Sequence, residues 1–270
     1  MIPTDLIDKL EHTYRMVASL GAGLSEDQWK LPTECPGWTV QDNLSHIIGT
    51  ERMLQGLDRT AHRAADVSVA KNSMGVANEH EVDARRASTG AEVLEEWRSV
   101  LAQRVATLRA GDAEYFARET QTPTGPGTVA DFIHIRIMDI WVHEQDMRRA
   151  VGIEGDLDSP SAEHATDRLL RTFPMVVGKR AQAPEGSVVV LSLTGPVYRT
   201  LAVGISGGRA ALVDPVPTAT VVTASIEIGS ANYARLATGR GDAATIAANA
   251  HVTGDPDLTA AILANLNIMI

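Results

Sequence analysis

The chain has few of the features that would place it outside the cell, in a membrane or on nucleic acid. It contains one cysteine, Cys35, among 270 residues, so no disulfide can form within the chain and we expect a cytoplasmic protein. Acidic residues outnumber basic ones by 34 to 24, for a formal net charge of −10, which argues against nucleic-acid binding because that requires a basic face. No apolar run approaches membrane-spanning length, and the first residues show no secretory signal. We therefore expect no nucleic-acid partner and no membrane association.

The sequence does have enough apolar residues for a sizeable core, since 44% of it is hydrophobic. Residues 4–20 have the apolar spacing of a helix. Three further long segments follow capping boxes, in which a threonine side chain and an acid three residues later exchange hydrogen bonds with each other's backbone. These boxes are Thr39-x-x-Asp42, Thr89-x-x-Glu92 and Thr128-x-x-Asp131. A fourth box, Ser25-x-x-Gln28, predicts a short helix. Four long helices with one apolar face each predict a four-helix bundle.

The pattern changes after Gly152, where a stretch rich in Gly, Asp and Pro indicates a linker up to residue 160. One helix is predicted over residues 161–180, and alternating apolar residues then predict strands. The predicted strands are Ser187–Leu193, Tyr198–Ile205, Arg209–Val213 and Ala219–Ile226, and the helices after them are Ser230–Thr238 and Leu258–Leu266. Residues 58–88 are predicted to be a connection with some helix, and residues 121–127 a loop. We therefore expect two domains, a bundle over residues 1–155 and a small α+β domain over residues 161–270.

The last bundle helix carries polar residues in a segment that is otherwise apolar. Asp139, His143 and Asp146 are spaced i, i+4, i+7, which places them on one face. A carboxylate and an imidazole on a buried helix must be paired, hydrogen-bonded or metal-bound. A core hydrogen bond and a metal site explain this helix about equally well, and a third ligand from elsewhere would decide between them. The candidate is His46, beside the apolar stripe of the second helix, although a lone histidine there is more often structural.

Three motifs, in order, resemble the family of mycothiol-dependent maleylpyruvate isomerases. The first is CPGWTVQD at residues 35–42, followed by His46; the second is WVHEQDMRRA at residues 141–150. The third is YARLATGR at residues 233–240, followed by VTGD at residues 252–255. The resemblance covers nearly the whole chain. It implies an α+β protein with an N-terminal DinB-like four-helix bundle, followed by a small sterol-carrier-like α+β domain.

The resemblance also implies a metal centre. In this family a divalent metal, usually zinc, is held by a histidine of the second bundle helix and an acid-x-x-x-His pair of the last one. The matching positions here are His46, Asp139 and His143. The family more often has Glu at the position of Asp139, and the aspartate is shorter by a methylene group.

Three further residues have both a functional and a structural interpretation. Asp146 could take part in catalysis by orienting a ligand histidine, or it could pair with an arginine at the helix end. The resemblance implies that Arg240 binds a carboxylate of the substrate or of the thiol cofactor, as a bidentate guanidinium can, although a cation is favourable at a helix end in any case. We expect Cys35 to be structural, because the resemblance assigns the nucleophilic thiol to the cofactor. The four tryptophans, at positions 29, 38, 97 and 141, lie at core-like positions.

The expected chemistry follows from three protein ligands that leave a coordination position open. Metal coordination lowers the pKa of a thiol and delivers a thiolate at neutral pH. The resemblance thus implies an enzyme that uses mycothiol, or a related low-molecular-weight thiol, as cosubstrate. The thiolate would add to an electrophilic small molecule, with S-transfer or cis–trans isomerisation as the outcome. Two alternatives stay open, a non-enzymatic small-molecule binding module and a hydrolase that uses metal-bound water. Monomer and homodimer both fit the sequence.

Overall fold

A computed structural model describes residues 1–213 and 221–269, and the first part of the chain is largely helical. These residues divide into two units, Met1–Asp156 and Leu157–Met269. The elements of the first unit are α1 (Thr4–Ala22), α2 (Glu26–Trp29), α3 (Val40–Leu54), α4 (Ser73–Asp83), α5 (Gly90–Ala110), α6 (Ala113–Ala117), β1 (Glu119–Thr122), β2 (Gly125–Thr128) and α7 (Val129–Val151). The predicted α+β fold class is confirmed by this arrangement and by the sheet of the second unit.

Capping sets where the helices begin. All four predicted capping boxes form, at the starts of α2, α3, α5 and α7. In each, the side chain of the cap residue accepts from the backbone N–H three residues later, and the side chain of that later residue accepts from the backbone N–H of the cap. Each box satisfies backbone N–H groups that the first turn of a helix leaves without partners. The helix starts are therefore where the local sequence predicted them.

The four long helices α1, α3, α5 and α7 pack as a bundle in which each contacts two of the others. Their apolar faces form one core, and its fully buried members include Leu10, Ile47, Trp97 and Ile137. Burying each such side chain contributes roughly 1.5–3 kcal/mol. The core brings α3 and α7 side by side, which matters for the site described below.

Two segments of the first unit differ from the sequence-based prediction. The predicted loop over residues 121–127 is part of an antiparallel hairpin, in which Glu119 pairs with Thr128 and Thr122 with Gly125. Prolines and glycines made this segment look irregular, but Gly125 adopts a positive φ of 114° that closes the turn. The short helix α6 was not predicted, whereas α4 agrees with the expectation of some helix in the connection over residues 58–88.

The second unit is built on one five-stranded sheet with the order β5-β4-β3-β6-β7. Its elements are α8 (Pro160–Leu170), α9 (Phe173–Met175), a π-helical turn (Val176–Arg180), β3 (Val188–Thr194), β4 (Arg199–Ser206), β5 (Arg209–Leu212), β6 (Ala224–Gly229), α10 (Ser230–Ala237), α11 (Ala243–Ala247), β7 (His251–Gly254) and α12 (Pro256–Ala264). Strands β3 and β6 pair in parallel, and the other neighbours are antiparallel. Every second residue of β3 is buried, as the alternation predicted.

The differences in the second unit have local causes. The single helix predicted over residues 161–180 is interrupted, because Pro174 lacks a backbone N–H and cannot continue a helix interior. The strand predicted as Ala219–Ile226 is found at Ala224–Gly229, and residues 219–220 lie outside the described part of the chain. Strand β7 and helix α11 were not predicted. None of the helices within the described residues has the length and apolar character needed to cross a bilayer.

Candidate metal centre

Side chains of α3 and α7 meet inside the bundle, where the structure brings His46, Asp139 and His143 together. One ligand-type atom of each lies within 4.8 Å of the other two. His46 Nε2 is 3.3 Å from Asp139 Oδ2, and His143 Nε2 is 3.7 Å from Asp139 Oδ1. Both histidines are only 6% exposed. The two helices thus bring two buried imidazoles and a partly exposed carboxylate close to one another.

The far side of the His143 ring contacts Asn43, a residue that the sequence analysis did not single out. His143 Nδ1 lies 2.6 Å from Asn43 Oδ1, and Asn43 is fully buried on α3, nearly one turn before His46. The available signal was an amide three positions before a histidine on the same helix. This contact ties the ring of His143 to the helix that carries His46.

Asp139 is held from behind by a buried cluster of charged and polar side chains. Arg136, one turn earlier on α7, donates to Asp139 Oδ2 through one NH2 group and to Glu51 Oε1 through Nε, the latter at 2.8 Å. Glu51, which is 0% exposed, also accepts from Tyr14 Oη at 2.7 Å and from Arg104 Nε at 3.1 Å. Each of the four long helices contributes to this cluster, so the bundle itself fixes the position of the Asp139 carboxylate.

The electrostatics of the site favour a neutral imidazole at His46 and an ionised Asp139. Burial lowers the pKa of His46 to about 4, and the opposing effect of Asp139 does not overcome it. Burial alone would raise the pKa of Asp139, but the Arg136 guanidinium and the neighbouring His46 outweigh it and hold that pKa well below its usual range. At neutral pH the site therefore offers an imidazole lone pair and a carboxylate, which are the protonation states that metal binding needs.

Trp38 forms a wall of the same site, although its position in the sequence predicted only a core residue. Its ring centroid lies 5.1 Å from that of His46 and 5.6 Å from that of His143, at interplanar angles of 37° and 33°. Its indole Nε1 donates to Glu79 on α4 at 2.9 Å, and Arg86 holds the other oxygen of that carboxylate at 2.6 Å. The ring therefore covers both imidazoles from a fixed position.

The other predicted site residues lie in different surroundings. Asp146 is fully buried, pairs with Arg149 at 2.5 Å, and has its second oxygen 3.6 Å from His143 Nδ1. Cys35 belongs with His143 and Asp146 to a second group of ligand-type atoms that lie within 4.8 Å of one another. Arg240 lies in the second unit, is 8% exposed, and donates to the carbonyl of Thr238 at 2.8 Å.

The donor set of the first group suits a divalent metal. Two imidazole nitrogens and one carboxylate oxygen form a common set of three metal ligands. Asn43 holds the His143 ring and Arg136 holds the Asp139 carboxylate, and partners of this kind commonly support the ligands of a metal site. His46 Nδ1 has no hydrogen-bond partner within the described residues, so this ring is held by packing and by Asp139. Fold and site together define a helical bundle with an internal group of two histidines and a carboxylate, of the kind that can hold a metal ion.

The comparisons with known proteins lead to one family. The family model described as the mycothiol maleylpyruvate isomerase N-terminal domain matches residues 10–148, slightly more than half of the chain. The chain therefore belongs to this family, as the sequence motifs predicted.

Solved structures and curated relatives extend the comparison. The crystal structure of a mycothiol-dependent maleylpyruvate isomerase matches with a TM-score of 0.60 at 14% identity, over 93% of this chain and 92% of that one. A mutant of a mycothiol-dependent maleylpyruvate isomerase matches with a TM-score of 0.58 at 13% identity and the same coverage. These likenesses show that the fold is shared along nearly the whole chain. Uncharacterized proteins of two Mycobacterium tuberculosis strains, CDC 1551 / Oshkosh and H37Rv, are 26% identical over 137 residues, which is 50% of this chain. The chain spans about half the length, 52%, of these curated relatives.

Proposed function

We propose that this protein is a mycothiol-linked enzyme that activates a low-molecular-weight thiol at a divalent metal held by His46, Asp139 and His143. The observation that carries the proposal is the convergence of these three side chains from two helices within 4.8 Å. Membership of the family and the shared fold with a mycothiol-dependent isomerase support the choice of thiol. Zinc is the expected metal, because it commonly binds this donor set and leaves a fourth position open.

The metal would supply one thing, a lower pKa of the bound thiol, so that the nucleophilic thiolate is present at neutral pH. The side chains of the chain do the rest. Arg136 and Glu51 hold the Asp139 carboxylate, burial keeps His46 neutral, and the Trp38 ring shields the imidazoles from water.

The thiolate would add to an electrophilic carbon of a small-molecule substrate. If the thiol stays attached, the reaction is S-transfer; if rotation about the former double bond is followed by loss of the thiol, it is cis–trans isomerisation. In this proposal the Arg240 guanidinium binds a carboxylate of the thiol or of the substrate. Asp146 adds a negative charge near His143 Nδ1 that favours a proton there.

The test is metal content and thiol-dependent turnover in matched variants. Wild-type protein should contain about one metal ion per chain, and His46→Ala and Asp139→Ala should lose it along with consumption of an electrophile such as maleylpyruvate in the presence of mycothiol. His62→Ala is the control, because His62 pairs with Asp83 outside the site. Full metal content in both site variants would refute the metal centre. Turnover in the absence of thiol would indicate a hydrolase instead. A protein that carries a bound small molecule but no metal would indicate a binding module.

A further inference from the structure

His143 belongs to two overlapping groups of possible metal ligands, the only such groups within residues 1–213 and 221–269. On one side its Nε2 lies 3.7 Å from Asp139, in the group that includes His46. On the other side its Nδ1 lies 3.6 Å from Asp146, in the group that includes Cys35. A neutral imidazole has one protonated nitrogen and one lone pair. Only the side that faces the lone pair can bind a metal, so the position of one proton decides between the groups.

The hydrogen bonds of Asn43 show which nitrogen carries that proton. The amide atom of Asn43 that lies 2.8 Å from the Thr39 carbonyl must be the nitrogen, because a carbonyl oxygen can only accept. The same atom lies 3.1 Å from Thr33 Oγ1, whose own hydrogen is donated to the carbonyl of Trp38 at 2.8 Å. The other amide atom, 2.6 Å from His143 Nδ1, is therefore the oxygen. Since that oxygen can only accept, Nδ1 must donate and Nε2 must hold the lone pair.

We infer that Asn43 is a positioning residue that keeps the proton of His143 on Nδ1 and thereby selects the ligand group of His46, Asp139 and His143. The inference rests on the proposed metal centre. Asp146 cannot take this role alone, because its carboxylate lies 3.6 Å from Nδ1, beyond hydrogen-bond distance, and is engaged by Arg149. Asn43, by contrast, is fully buried and anchored at both of its amide hydrogens.

The anchors of Asn43 connect the turn before α3 to the site, although His46, Asp139 and His143 all lie on the helices α3 and α7. Thr33 lies in that turn and Thr39 caps the helix, and both fix the orientation of the Asn43 amide. The amide oxygen in turn holds the proton of His143 on Nδ1, which leaves the lone pair on Nε2. A partner that holds the second nitrogen of a ligand histidine also makes the ligand more basic, and loss of such a partner weakens metal binding about 10–100-fold.

The experiment measures the His143 proton and the metal affinity in the full chain. Nitrogen-15 NMR of the wild type, freed of metal by chelation, reports directly whether His143 is protonated on Nδ1. Titration with Co²⁺ then gives the affinity, and its near-ultraviolet spectrum shows whether a cysteine thiolate is a ligand. The variant is Asn43→Leu, which removes the acceptor. Ser45→Ala is the matched control, because Ser45 is buried on the same helix and its hydroxyl donates to the carbonyl of Gln41, one turn earlier.

We expect the Nδ1–H form in the wild type, no cobalt–thiolate band, and about 10–100-fold weaker Co²⁺ binding in Asn43→Leu, with Ser45→Ala near the wild-type affinity. Protonation of wild-type His143 on Nε2, or a strong cobalt–thiolate band from Cys35, would overturn the inference. Unchanged protonation and affinity in Asn43→Leu would do the same. The wild-type NMR measurement needs neither a folded variant nor a bound metal. A wild type that binds no Co²⁺ would therefore refute the proposed function while leaving the proton on His143 measured separately.

Discussion

Replacing Glu51 by alanine would remove the carboxylate at the centre of the buried cluster that supports Asp139. Glu51 is 0% exposed and accepts hydrogen bonds from Tyr14, Arg104 and Arg136 at 2.7, 3.1 and 2.8 Å. In the variant, Arg136 would keep Asp139 as a partner, whereas Arg104 would keep only the Tyr115 hydroxyl. The change therefore leaves a buried guanidinium without an anionic partner.

The expected magnitude follows from the number of bonds that are lost. Hydrogen bonds to charged groups contribute about 1.5–3 kcal/mol each, and Glu51 makes two of them to arginines. Removing one partner of a buried ion pair typically destabilises by about 3–5 kcal/mol. We expect a loss of roughly 4 kcal/mol in the free energy of unfolding of the first unit.

The assay is urea unfolding followed by tryptophan fluorescence. All four tryptophans of the chain, at positions 29, 38, 97 and 141, lie within Met1–Asp156, so the signal reports the first unit. Glu95→Ala is the control, because its partner Arg98 is half-exposed and surface pairs contribute little. The double variant Glu51→Leu/Arg104→Met should be less destabilised than the sum of its single changes, because both members of one ion pair are removed together. A loss below about 1 kcal/mol in Glu51→Ala would refute the reasoning, since it would mean that the arginines find other partners or water.

Two further predictions concern acid stability and packing. Burial alone would raise the pKa of Glu51, but Arg136 and Arg104 outweigh it and lower that pKa in the folded chain. The contribution of ionised Glu51 to the free energy of unfolding is therefore present above the unfolded-state pKa of about 4.3 and is lost as pH falls through the folded-state pKa. The urea midpoint of Glu51→Gln should accordingly fall less than that of the wild type between about pH 6 and pH 3, and parallel losses would contradict this. Gly90→Ala should destabilise the first unit by about 1–3 kcal/mol, because the new Cβ would lie 2.1 Å from ring atoms of Trp29. Gly23→Ala, where the nearest atom is a backbone oxygen at 3.7 Å, should change the urea midpoint little, and equal effects at the two glycines would argue against the overlap.

Local sequence determined where most helices begin. A capping box needs only two side chains three residues apart, so Thr39 with Asp42 and Thr128 with Asp131 set the starts of α3 and α7 without help from the rest of the fold. Apolar spacing likewise predicted which face of each long helix is buried. The helix starts could be predicted because the hydrogen bonds that decide them lie within one turn of the chain.

Pairing between strands could not be predicted from the residue pattern within one strand. Strand β7 has four exposed residues and no alternation, and it is a strand because it pairs with β6. The hairpin β1–β2 contains prolines and glycines that argue against strands in isolation, yet backbone pairing over residues 119–128 forms it. A pattern within one segment cannot show a partner that supplies half of the hydrogen bonds.

The candidate site divides along the same line. The spacing of Asp139 and His143 placed them on one face of α7 from sequence alone, and the family motifs added His46. The convergence of α3 and α7 that brings the three together depends on packing of the whole bundle. The roles of Asn43 and Glu51 likewise depend on atoms contributed by other helices, because the direction of an amide and the balance of a buried charge are set by neighbours in space. Sequence determined which residue types could bind a metal, and the tertiary structure decided that Nε2 of His143 faces Asp139 while Nδ1 faces Asn43.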